Sequence, residues 1–253
     1  MSNISWLYKN KCVNASKIVD IVGTNNITDH GSSFAMDYNL QSEWRSNAIN
    51  ATLDFRFDFG SSVYVDSLLV VHNLNSGTMY FNAGNTYPPS TISYGMPLLG
   101  NTGTSMNYLA NAVNYRYWSL IADGTKLNDV IKLKEIFIGK RDELSVNPEY
   151  PFEKELNVTT IVPQSEAGHK FTYKKYDKLR YNFKYNGIDS NTFGTLSLIR
   201  DLCSGSYKPF WMCIDKDYNK FDTKMFRIVK GSWKVQEVIH NVYDCSFSVE
   251  EEL

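Results

Sequence analysis

Apolar and polar residues alternate along most of this chain. In the run LDFRFDF, Leu53, Phe55, Phe57 and Phe59 fall on one side and Asp54, Arg56 and Asp58 on the other, the mark of a strand with one buried face. Gly60, Ser61 and Ser62 predict a turn, and VYVDSLLVVHNL after them, rich in β-branched residues, predicts a more deeply buried strand. YRYWSLIA near 115–122 and VIKLKEIFIG near 130–139 predict two more. Between them, residues 82–114 are dominated by Asn, Gly, Ser, Thr and Pro, including Pro88, Pro89 and the NTGTS at 101–105, and read as long surface loops with one or two short strands.

The alternation lapses at 140–155, KRDELSVNPEYPFEKE, where charge and two prolines give the composition of a linker. The expected domains are therefore 1–145 and 146–253. Beyond the linker, DKLRYNFKYNG sets Leu179, Tyr181, Phe183 and Tyr185 against Arg180, Asn182, Lys184 and Asn186. KPFWMCID, MFRIV, SWKVQEVIH and VYDCSFSVEEEL predict the remaining strands, the last placing Cys245, Phe247 and Val249 on one face. One helix interrupts them near 191–203: Phe193, Leu196, Ile199, Leu202 and Cys203 recur three or four apart, Asp189 to Asn191 offer a cap, and Gly205 an end.

Composition narrows the classes. Charged residues make up 21% and apolar ones 43% of 253 residues, so the chain is globular. A formal charge of −1 gives no global case for nucleic acid or an anionic membrane. The N-terminal MSNISWLYKNKCVNAS lacks the apolar core of a signal peptide, and no run approaches the roughly 20 apolar residues of a spanning helix, so synthesis and folding in a cytoplasm, without membrane insertion, are expected.

Chemistry-bearing motifs are few. Cys12, Cys203, Cys213 and Cys245 form no CxxC pair. They read as small buried hydrophobes, with a metal or iron–sulfur site built from Cys203, Cys213 and Cys245 as the sharper alternative. In a reducing compartment no disulfide is expected. His30, His72, His169 and His240 are scattered, and HExxH, Gly-x-Ser-x-Gly and Gly-rich phosphate loops are missing, so no catalytic residue is assigned and the chain is read as a non-enzyme. Tyr80, Tyr87, Tyr94 and Tyr108, spread through loop-rich sequence, offer either a sugar platform or isolated surface rings.

The order AMDYNLQSEWRS, a strand ending in Phe-Gly, VDSLLVVHNL, YRYWSLIA and LKEIFIGK resembles the discoidin or coagulation-factor type C jelly roll, which many carbohydrate-binding modules also use. The resemblance implies an N-terminal antiparallel β-sandwich, followed here by a β-rich domain with one helix, in a mainly all-β chain. It makes Trp44 a structural ring that closes one end of the core, with Trp118 contributing to core or rim. It also implies a calcium-holding loop, onto which Asp37, Asn39, Ser42 and Glu135 map as ligands. Tyr38 and Asn39 stand where the motif has Gly and a second Asp, which removes one carboxylate; otherwise no cofactor is expected.

WRS, VHNLNSG, RYW and FIGKR, joined to a second β domain with PFW and a Glu-rich end, are similar over nearly the whole chain to two-domain tail-tip or baseplate proteins of long-tailed bacteriophages, near the distal tail proteins. That likeness implies a virion structural protein that assembles in the host cytoplasm as a ring of its own copies, meets other tail proteins and contacts a host-surface glycan. Phe210 and Trp211, after a proline that favours an edge strand or loop exit, are then candidate interface anchors, against the alternative of core positions. A carbohydrate-binding adhesin module without a virion role is the alternative function.

Overall fold

The structure is a computed structural model, and it describes residues 3–21, 32–49, 52–75, 77–98, 103–123, 129–162, 164 and 173–253. In chain order the strands are β1 (Ser5–Asn10), β2 (Lys17–Ile21), β3 (Trp44–Ile49), β4 (Thr52–His72), β5 (Met79–Gly84), β6 (Ile92–Met96), β7 (Thr104–Asp123), β8 (Val130–Glu143), β9 (Glu153–Ile161), β10 (Tyr173–Asp189), β11 (Phe210–Cys213), β12 (Lys224–Ile228), β13 (Lys234–Ile239) and β14 (Val242–Glu251). Among the described residues, one longer helix, α1 (Ser190–Leu202), a single turn, α2 (Lys216–Asn219), and two short 3-10 turns at Cys12–Asn14 and Ser32–Ala35 accompany them. The chain divides into two units, Met1–Asp142 with Cys213–Thr223, and Glu143–Met212 with Lys224–Leu253. Segment 213–223, sequence-wise part of the second domain, groups with the first, where Thr223 Oγ1 meets the Tyr108 hydroxyl at 3.3 Å.

The first unit is an antiparallel β-sandwich jelly roll built around two long strands, β4 of 21 residues and β7 of 20. The first part of β4 pairs with β2 and β7, at Phe57↔Ile18 and Phe57↔Trp118; its last part pairs with β7 and β8, at Leu68↔Asn107 and Leu68↔Ile138. β5 and β6 extend one layer beyond β7, while β1 and β3 pair with β8 in the other. Register shifts between Asp58 and Val63 and between Val65 and Ser67 move the inward set from Leu53, Phe55 and Phe57 to Leu68 and Val70. Bulges do this by adding a residue to one strand only. All five side chains share one core with Trp44, Phe81, Trp118, Ile136 and Ile138.

Two expectations change here. Gly60 to Ser62 form no chain reversal, because β7 stays alongside on both flanks, at Asp58↔Tyr117 and Val63↔Tyr115. Gly60, at φ +75, takes the left-handed conformation inside the irregular stretch. Residues 82–114, expected as long surface loops with one or two short strands, include the end of β5, all of the short β6 and the first half of the 20-residue β7. Their polar residues lie largely on the solvent side of strands: Asn82 faces Ser93, and Asn107 Nδ2 donates to Gly95 O at 2.8 Å.

The second unit orders its strands β11-β12-β14-β10-β9, with β13 on β14. Alternation in β10 and β14 brings Tyr181, Phe183, Tyr185 and Phe247 onto one buried face, where Tyr181 and Phe183 stack at 6.0 Å and Phe183 meets Phe247 edge-on at 5.6 Å. Helix α1 begins at Asp189, whose side chain accepts the Thr192 N–H at 2.8 Å, and buries Leu196 and Ile199. Gly205, at φ +69, closes its end by donating to Arg200 O at 2.8 Å.

Candidate functional site

The same alternation that turns Leu53, Phe55 and Phe57 inward turns Asp54, Arg56 and Asp58 outward, and Tyr117 lies opposite Asp58 on β7. Arg56 grips Asp54 with a fork, Nε to Oδ1 at 3.1 Å and Nη2 to Oδ2 at 2.6 Å. Its guanidinium lies 5.6 Å from the centroid of the Tyr87 ring, which meets Tyr117 edge-on, also at 5.6 Å. The Arg116 guanidinium lies over the Tyr117 ring at 4.8 Å and forks onto Asp58, at 2.8 and 2.9 Å. Asn85 Oδ1 accepts the Arg116 backbone N–H at 3.2 Å.

Two carboxylates and two guanidinium groups leave this cluster with no net charge, and each carboxylate is already engaged by a fork. Hydrogen bonding to Asp54 is the main reason the Arg56 pKa rises, and bonding to Asp58 does the same for Arg116. The ring of Tyr87 is 48% exposed. Fixed donors and acceptors beside open aromatic faces suit the holding of a neutral, hydroxyl-bearing ligand, and none of these side chains is arranged as a nucleophile with its base.

Of the four residues mapped to a calcium loop, Asp37, Asn39 and Ser42 bond one another, and Glu135 joins them only through the backbone N–H of Tyr38. Asp37 Oδ1 accepts the Asn39 N–H at 2.9 Å and Oδ2 the Ser42 hydroxyl at 2.6 Å. Glu135, wholly buried on β8, accepts the Tyr38 N–H at 3.1 Å and Asn10 Nδ2 at 3.0 Å. Burial first, then the charge of Asp37, pushes the Glu135 pKa well above the ordinary carboxylate value. Two carboxyl groups that repel one another, each oxygen keeping a second lone pair, are a donor set that a hard cation fits. Among the described residues no three His, Cys, Asp or Glu side chains gather at a metal-holding distance, so the remaining ligands would be amide, hydroxyl and backbone oxygens.

Other sequence candidates are dispersed. Trp44 and Trp118 are fully buried, Trp44 edge-on to Phe55 at 5.3 Å and Trp118 donating from Nε1 to Tyr115 O at 3.3 Å. Phe210 and Trp211 are not surface anchors: both are interior, 0% and 2% exposed, because β11 is flanked by β12 and all four of its residues are buried. The four cysteines are free and buried, and among the described residues no three His, Cys, Asp or Glu side chains, the Cys203, Cys213 and Cys245 set included, gather at a metal-holding distance. Burial raises all four thiol pKa values, Cys203 to about 12 and Cys245 to about 11.

Of the four tyrosines read as a possible platform, Tyr87 is exposed, Tyr94 stacks on Trp118 at 6.0 Å, Tyr108 is held at Thr223 and Tyr80 is half-buried on β5. His72 is buried and His240 exposed, while His30 and His169 lie outside the described residues. The partners of Tyr87, namely Arg56 and Tyr117, were not singled out from sequence, although the alternation of LDFRFDF and YRYWSLIA already set them opposite the core residues. A cavity of about 650 Å³ in the second unit is lined by Arg180, Asn182, Lys184 and Lys230 and also by Phe152, Phe183 and Phe247, whose rings meet edge-on at 5.5 and 5.6 Å.

No protein-family model and no curated protein matches the chain. Among solved structures, it is similar to chitosan-binding module 1 of a chitosanase/glucanase from Paenibacillus sp. IK-5, with 14% identity and a TM-score of 0.44 over 52% of this chain and 99% of that one. Module 2 of the same enzyme, solved with chitotriose, gives 14% identity and a TM-score of 0.43 over 52% of this chain and 100% of that one. CBM32-1 of a family 31 glycoside hydrolase from Clostridium perfringens gives 15% and 0.36, over 50% and 97%.

Proposed function

We propose that the first unit is a non-catalytic carbohydrate-binding module that holds a neutral sugar against Tyr87 and Tyr117. The observation that carries this reading is the half-exposed Tyr87 ring set between the Arg56–Asp54 fork and Tyr117. An aromatic ring supplies an apolar face for the C–H side of a pyranose, and a fixed guanidinium–carboxylate pair supplies donors and acceptors for its hydroxyls. Because the cluster has no net charge, it favours a neutral glycan over an acidic one. The test is a glycan array probed with the whole chain, followed by titration of the retained glycan into Tyr87→Ala. Binding lost in that variant while the melting curve is retained supports the reading; no glycan retained, or one bound equally by Tyr87→Ala, overturns it.

Calcium is part of the same proposal, held by Asp37 and Glu135 with oxygens of Asn39 and Ser42. It would fix the loop leading into β3 and leave the sugar face to the side chains already described.

A structural role in a phage tail tip, with the protein residing in the virion, is the second reading. The feature favouring it is β13, all six of whose residues are exposed, including Val235, Val238 and Ile239. Exposed apolar edge strands serve assembly. Immunogold labelling of intact virions tests it: label at the tail tip supports the role, and label on capsids or absent from particles overturns it.

A further inference from the structure

Strand β9 pairs with β10 alone among the described residues and ends the strand order of the second unit. Its partner joins β14 only from Arg180 onward, so Tyr173 to Leu179 and the β9 residues opposite them form a two-stranded ribbon. None of the nine β9 residues is buried; Leu156 is 57% and Val158 49% exposed. The stretch LNVTTI, residues 156–161, contains no charge, proline or glycine. Two-stranded ribbons are marginal by themselves. Natural edge strands are normally blunted by charge, proline or a bulge, and a β-prone, uncharged edge left open is a template for another strand.

We propose that β9 pairs antiparallel with β9 of a second copy of this chain, about a two-fold axis at Asn157, joining the two ribbons into one four-stranded sheet. This register pairs all nine residues of the strand, and it is self-complementary. Leu156 falls opposite Val158 of the second copy, Glu155 opposite Thr159, Lys154 opposite Thr160 and Glu153 opposite Ile161. No charge meets its like. Leu156 and Val158 project on the same face of their strand, and Leu156 is opposite Leu179 on β10, so each copy contributes three apolar side chains to one continuous patch. An isologous contact of this kind closes at two copies. It depends on neither the sugar-binding nor the tail-tip reading.

Sedimentation velocity of the whole chain across the micromolar range tests the pairing, with a dimer as the expected species. Val158→Lys places like charges near the axis and is expected to give a monomer with an unchanged melting transition. Asn157→Cys places one thiol on the axis facing its own copy, and mild oxidation is expected to cross-link it, the four native cysteines being buried. Should Val158→Lys fail to fold, the cross-link decides. A chain monomeric throughout, or an oligomer that Val158→Lys leaves intact and Asn157→Cys does not cross-link, overturns the proposal.

Discussion

The backbone N–H of Tyr38 donates to Glu135 Oε2 at 3.1 Å while Tyr38 sits at φ +57, a left-handed conformation that a bulky residue rarely takes. The glycine of the jelly-roll motif would take it without strain. Here the strain is offset by anchoring: the Tyr38 hydroxyl accepts the Asn10 N–H at 3.2 Å and donates to Tyr8 O at 3.4 Å. Tyr38 therefore ties the loop before β3 to β1 and β8.

If calcium is held at Asp37 and Glu135 as proposed, its binding depends on pH through Glu135. With its pKa raised above 4.5, the folded state keeps a proton that the unfolded state releases, so metal-free stability falls as pH climbs from there toward the folded value. A cation at Asp37 and Glu135 must displace that proton. Millimolar calcium is therefore expected to raise the melting temperature more at about pH 8 than at about pH 5. Glu135→Gln should remove the effect. A melting temperature indifferent to calcium at the higher pH would count against the site.

Trp44 lies fully buried against Phe55, and its removal leaves a cavity that neither β3 nor β4 can close without moving. Trp44→Ala should cost about 3 to 5 kcal/mol in urea unfolding. A midpoint shift too small for that cost would mean that the site collapses around the missing ring.

The helix cap offers a smaller effect. Asp189 engages the Thr192 N–H, and hydrogen bonding from the Thr192 side chain, then from that N–H, holds its carboxyl below the ordinary carboxylate range. Asp189→Ala is expected to lower the melting temperature at neutral pH, with Asp189→Asn keeping most of the stability. Equal losses for both variants would point to the charge rather than the cap.

Period-two patterning made LDFRFDF, VYVDSLLVVHNL and LRYNFKY legible as strands, because one face of each meets a core. It failed where both faces are polar or short: β9 has no buried residue to pattern, and β6 carries Ser93 and Gly95 outward. The capped helix was readable because Asp189, the apolar spacing and Gly205 agree. The Tyr87 cluster was half readable. Alternation put Asp54 and Arg56 on the solvent side, but only the fold brings residues from β4, β7 and the turn after β5 together. Proline before Phe210 suggested an edge, yet Phe210 begins a buried strand whose first N–H follows the proline.

His72 supplies the sharpest pH prediction. Its Nδ1 accepts the Leu74 N–H at 3.0 Å, so the ring proton is on Nε2 and donates to the Ser105 hydroxyl at 2.8 Å, which in turn donates to Pro97 O at 2.6 Å. A second proton on Nδ1 would confront the Leu74 N–H, and burial lowers the pKa from 6.5 to about 4. The unfolded chain thus gains a proton in a window where the folded chain does not. Stability should fall as pH drops from 6.5 toward 4, by about 3 kcal/mol in all from this group. Urea unfolding across that window should give a flatter profile for His72→Gln than for the unsubstituted chain, although the variant is less stable near neutrality because the relay to Ser105 is altered. Parallel profiles for the two proteins would show that His72 already carries its charge in the fold, and the assigned tautomer would be wrong.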